Sequence, residues 1–170
     1  MTVDAVMRFL HFLGFITWVG GMMFQLVALQ PFLKVQELPV RLPLLFPVIR
    51  RFLMMTWSSI TLLLISGSDM LIRVLVEQKV SIVSRLGMLL LLKFMIVGLM
   101  FVLFGYLFFG YFFYFRIHYR ALLRKPDPKE AEAHYLAIEE MLPAMRNLTI
   151  VNLVLGLTVI LVIEMGLYGG

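Results

Sequence analysis

The chain has 170 residues, 62% hydrophobic and 15% charged, with 15 Phe, 13 Met and no Cys; an ordinary soluble domain is roughly 45–50% apolar and about 25% charged. With a mean hydropathy of +0.97, this balance excludes a water-soluble fold and predicts an all-α integral membrane protein, since so short a chain has no interior able to hide that much apolar surface. The net charge of +5 sits in short stretches between apolar runs, which argues against nucleic acid as a partner, and the lack of Cys removes disulfides, thiolate nucleophiles, iron–sulfur clusters and thiolate zinc sites.

Four apolar runs are long enough to cross about 30 Å of hydrocarbon: 5–29, 52–76, 86–115 and 148–167. They predict a single four-transmembrane-helix bundle over 1–170. Arg8 precedes a hydrophobic stretch as in a signal peptide, but the first run exceeds a signal-peptide core in length, so it is read as a retained helix. Between the first two spans, Gln30 to Arg51 carries Pro31, Pro39, Pro43 and Pro47 among Leu44, Leu45 and Phe46, which predicts an irregular loop lying against the membrane surface. The third run meets no breaker before Pro126 and Pro128, so an extended third helix reaching past Arg116, His118, Arg120 and Arg124 is expected. Lys129 to Met141 then reads as an amphipathic helical connection with acidic residues near its start, and Pro143 as a bend into the fourth span.

Lys and Arg outside the spans set the expected orientation. Lys34, Arg41, Arg50, Arg51, Arg116, Arg120, Arg124, Lys125, Lys129 and Arg146 fall on one side, against Arg8, Arg73, Lys79 and Arg85 on the other. The first and third connections are therefore placed in the cytoplasm and both termini outside, in a bacterial inner or plasma membrane.

Ionisable residues within spans are costly, so their depths carry information. At about 1.5 Å per residue, His11, Asp69 and Lys93 each lie roughly two turns inside their spans and Glu164 about one turn, one residue per helix in a single outer layer. Lys93 snorkelling, Glu164 at a helix end and Asp69 pairing with Lys93 or Arg73 would give the same pattern as a purely structural network. The first span adds a stripe of His11, Gly14, Trp18, Gly21 or Met22, and Gln25 at helical spacing. Its glycines admit either a flat macrocycle or a neighbouring helix.

A neutral imidazole is a common axial ligand of haem, aromatic walls suit a porphyrin, and cations such as Lys93, Arg8 and Arg73 can meet its propionates. Ligation by two histidines in this layer would need a homodimer, because His118 and His134 belong to the opposite end. Met22, Met23, Met54, Met55, Met141 and Met145 form the competing metal pattern, since thioethers favour Cu(I), with core packing as their plainer role. His118 reads as interfacial or as a ligand at a second site, and His134 as solvent-exposed. Ser58, Ser59, Ser66 and Ser68 have no activating His beside them in sequence and read as hydrogen-bonding residues of the bundle. No phosphate-binding loop or zinc motif occurs.

The segment Leu10-His11-Phe12-Leu13 followed by Thr17-Trp18-Val19-Gly20-Gly21 resembles the first-span signature of the copper-resistance D (CopD) family and the related HemJ-type protoporphyrinogen oxidases. Arg50-Arg51-Phe52 leading to Ser66-Gly67, the Leu92-Lys93 pair and Arg146-Asn147-Leu148 extend the resemblance over all four spans. The HemJ-like branch implies a haem b-binding bundle with His11 as iron ligand and Lys93 important to the site, a porphyrinogen substrate and an electron acceptor such as quinone. The CopD name implies copper handling. The long third helix and the charged segment from Arg116 to Arg146 go beyond the compact HemJ-type pattern and offer a docking surface for a redox partner protein. The expected function is thus haem-based redox chemistry, with copper handling and a cofactor-free assembly subunit as alternatives.

Overall fold

The computed structural model describes residues 3–77 and 81–168, with side chains described up to Val162. Within them the chain forms four long helical rods and no strand: α1 Val3–Lys34, α2 Leu38–Glu77, α3 Arg85–Leu123 and α4 Pro128–Tyr168. Each rod is long and apolar enough to cross a membrane. At 1.5 Å per residue they run from about 48 to about 62 Å, well beyond a hydrocarbon core of about 30 Å. The expected spans therefore lie inside longer helices. Connections are short, and each helix reverses the direction of the one before it. One end of the bundle, the terminal end, holds residue 3 and the α2–α3 connection; the other, the basic end, holds the α1–α2 and α3–α4 connections with most of the Lys and Arg.

One expected irregular stretch is helical. Gln30–Lys34 continues α1, and α2 begins at Leu38, so the proline-rich segment is helix rather than a surface loop. Pro39 falls in the first turn, where its missing N–H has no helical partner to lose. Pro43 and Pro47 follow at intervals of four, which puts all three on one exposed face, while Leu42, Leu45 and Ile49 bury the opposite face. Packing on that face outweighs the two lost hydrogen bonds. Lys129 to Met141 is helical, as expected, and runs on without a break through Pro143 as the first part of α4. Ile138, fully buried, and Met145 carry the core contact through the exposed proline.

The termini of the rods are fixed by local chemistry. Ser84 caps α3, its Oγ accepting from Gly87 N at 3.1 Å. Asp127 does the same for α4, accepting from Glu130 N at 2.9 Å, and Lys125 closes α3 with φ 54° before Pro126 and Pro128. Along the rods, hydroxyls of Thr17, Thr56, Ser59, Thr61, Ser66, Thr149 and Thr158 donate to the carbonyl four residues earlier, which satisfies them without water. Wider turns of the π type interrupt the helices at Gln25–Leu29, Arg73–Glu77 and Tyr106–Phe112.

α1 packs chiefly on α2, α3 on α4, and α1 on α4. Small residues allow these approaches: a Cβ at Gly14 would meet Ser59 O of α2 at 3.0 Å, and one at Gly156 of α4 would meet Val19 at 3.0 Å and Met100 at 3.3 Å. α2 and α3 meet through large rings instead, Trp57 standing edge-on to Phe101, Phe104, Phe108 and Phe109. At the basic end Phe46 stacks on Tyr119 at 4.3 Å and lies 5.6 Å from Phe115. Apolar side chains such as Met95, Val102 and Leu161 remain exposed around the outside, a surface suited to lipid rather than water.

Candidate functional site

Near the terminal end, His11 of α1 is seated on α2 by two adjacent residues. Its Nδ1 lies 3.1 Å from Ser66 Oγ, and its ring lies over Gly67, where an added Cβ would come 3.3 Å from Cε1. The hydroxyl supplies a partner and the glycine supplies room. The Ser66 hydrogen is already donated to Leu62 O, so Ser66 Oγ acts as acceptor and His11 Nδ1 carries the proton. Neutral His11 is then left with its lone pair on Nε2, and that nitrogen makes no hydrogen bond among the described residues. Fixing one ring nitrogen so that the other is available is how proteins orient histidine ligands. Lys93 of α3, partly exposed and without an ion-pair partner among the described residues, lies close enough for its charge to act on His11.

The other expected members divide. Asp69 and Arg73 form a pair on α2, with Nε to Oδ2 at 2.9 Å and Nη2 to Oδ1 at 3.3 Å, so they satisfy each other rather than pointing a free carboxylate at Lys93. Arg8 pairs with Asp4 at 3.0 Å on an exposed face. Gly14 and Gly21 give their space to α2: a Cβ at Gly21 would stand 2.7 Å from the Phe52 ring. Trp18 is core, edge-on to Phe104 at 6.3 Å. The Glu164 side chain and Lys79 lie outside the described residues. Of the methionines, Met22 and Met145 are buried in the apolar core while Met23, Met54 and Met55 are exposed. No group of three or more His, Asp or Glu able to hold a metal occurs among the described residues.

Two features at the basic end were not read from the sequence. His134 is not solvent-exposed but half-buried, with Nδ1 3.0 Å from His118 Nδ1 across the α3–α4 hairpin. One ring must donate and the other accept, so the contact requires at least one neutral imidazole. His118 lies beyond the membrane-length stretch of α3, between Arg116 and Arg120, and burial first, then His134, lower its pKa from 6.5. A lowered histidine pKa contributes stability that is fully present above about pH 6.5 and lost as pH falls below it. Thermal unfolding in detergent is therefore expected to show a larger loss of Tm between pH 7.5 and pH 5.5 for the native chain than for His134→Gln. Equal losses would disprove the coupling.

The second feature is a cavity of about 670 Å³ bounded by α1, α2 and α4, with Leu107 of α3. Two of its lining residues carry buried polar atoms with no hydrogen-bond partner, Gln25 Oε1 and Arg41 Nε. Sequence reading placed Gln25 on the inward stripe of α1, and nothing in the pattern marks an unpaired atom.

No protein-family model, curated protein or solved structure matches this chain.

Proposed function

We propose that the chain is an integral membrane protein that binds haem b near its terminal end, with His11 as an iron ligand, and serves electron transfer or HemJ-like porphyrinogen oxidation. The observation that carries the reading is the seat of His11: Nδ1–H held by Ser66, Nε2 left with its lone pair, and an unpaired Lys93 nearby. The first-span and Lys93 motifs resemble the HemJ-type pattern at the same two residues. The excess of Lys and Arg at the basic end supports placing that end in the cytoplasm.

These residues fit a haem in ligand and in countercharge. His11 would hold iron, Lys93 would meet a propionate, and Ser66 with Gly67 would fix the ring. When bound, haem b supplies reversible one-electron chemistry at iron. The chain's own contribution is to hold the imidazole in one tautomer, and to place the Asp69–Arg73 pair at the same end. Trp57 with its ring of phenylalanines lies between α2 and α3 and keeps their backbones apart.

Absorption spectra of detergent-purified protein, oxidised and dithionite-reduced, test the reading. The native chain is expected to show a Soret band and a reduced α-band, both lost in His11→Ala, and Lys93→Ala is expected to retain less haem. A haem-free spectrum after expression with ample haem, or bands unchanged in His11→Ala, would overturn it.

A further inference from the structure

The cavity at the basic end combines features that the haem reading does not use. Gln25 opens the wide turn Gln25–Leu29 of α1 and is only 7% exposed. Its Oε1 and the Nε–H of Arg41, which comes from α2, are both buried without partners. These groups have opposite sense, since the amide oxygen accepts and the guanidinium donates. Both atoms have essentially no accessible surface, so they lie behind the wall, and what the cavity offers a guest is its charge and its apolar lining.

Charge and wall chemistry narrow the guest. Lys34, Arg41 and Arg146 line the cavity against a single Glu139, leaving an excess of positive charge that selects an anion. Leu45, Ile49, Phe52, Leu53 and Leu107 supply the remaining wall, which offers nothing to a small hydrated ion but suits an apolar tail. The cavity lies at the end of the bundle where helices pass from membrane length to their basic extensions, the depth at which a phospholipid headgroup meets its acyl chains.

We propose that this cavity binds one anionic glycerophospholipid, with phosphatidylglycerol as its probe. The phosphate lies among the cations Lys34, Arg41 and Arg146, and an acyl chain lies along the apolar wall. A zwitterionic choline lipid has the phosphate, but its cation meets a positive site. The proposal rests on the membrane placement but not on haem, whose ligand belongs to the opposite end.

The test begins with cell fractionation: recovery in the soluble fraction would overturn the membrane placement itself, before any lipid is added. Membrane-extracted protein is then delipidated in maltoside micelles, and phosphatidylglycerol or phosphatidylcholine is added back and retention read by native mass spectrometry. Phosphatidylglycerol is expected to be retained at one per chain, and phosphatidylcholine not. Arg41→Gln and Arg146→Gln should each weaken retention about tenfold, the size of one charge-assisted hydrogen bond. Arg146 is exposed, so Arg146→Gln should fold as the native chain does, and unchanged circular dichroism confirms that. Equal retention of both lipids, or retention unaltered in both variants, would mean only a surface shell of lipid and overturn the proposal. Full protection by tail-free glycerol phosphate at matched concentration would also overturn it, by assigning the site to a soluble phosphate ester.

Discussion

Phe115→Ala is expected to cost about 3–5 kcal/mol, the range for removing a fully enclosed aromatic side chain. Phe115 has no exposed surface, and it belongs to a core at the basic end that includes Leu42 and Ile138, each 2% exposed or less. Phe46 lies 5.6 Å away with its ring tilted by 44°, so the truncated site would be lined by rigid rings that cannot collapse into it. Thermal or denaturant unfolding in detergent, followed by circular dichroism, should show a transition well below that of the native chain, while Phe115→Leu recovers most of the loss. A change under about 1 kcal/mol would mean that the basic extensions are not packed as a single core.

Gly87→Val is expected to be similarly damaging for a different reason. A Cβ at this position would fall 2.3 Å from Ser81 O and 2.7 Å from Ile82 Cα, and these are backbone atoms that no rotamer change can move. The same turn carries the cap of α3 through Ser84 Oγ, which accepts from Gly87 N. Accommodating valine would displace the turn and uncap the helix together, at about 3 kcal/mol or more from overpacking and the lost cap. Gly98, on the same helix with open space at its Cβ position, supplies the control: Gly98→Ala should be neutral or stabilising by helix propensity, up to about 1 kcal/mol. Equal effects at the two glycines in the same unfolding assay would refute the backbone-clash account.

The helical class and the number of long helices were legible because apolar run length is a direct physical requirement of spanning a bilayer. The misread segment has one cause. Proline was weighed as a helix breaker at Pro31, Pro39, Pro43 and Pro47 without asking which face it occupies, and at spacing four the last three remain on the exposed side while leucines hold the other. In the candidate site, His11 and Lys93 stood out because ionisable groups are rare in spans. Ser66 was visible only as a small polar residue; its pairing with His11 joins positions 55 apart, and no local pattern encodes that. His118 and His134 were separated by a charged, proline-containing hairpin that reads as solvent-facing, yet antiparallel packing brings their rings together. The cavity was illegible because its lining joins Lys34, Arg41 and Arg146 from three helices, a grouping that exists only once those helices are in place.

The π-type turns at Gln25–Leu29 and Tyr106–Phe112 have a consequence for how the bundle reads its own pattern. Each adds a residue to the helical count, and one residue is about 100° of rotation in an α-helix. Beyond such a turn, side chains on α1 and α3 present faces a little over a quarter turn away from where a straight extrapolation from the terminal half would put them. The two halves of these rods therefore carry independent registers: the half with His11 and Lys93 and the half with Gln25, Phe115 and His118 can each be packed on its own terms. A change of periodicity in one need not disturb the other.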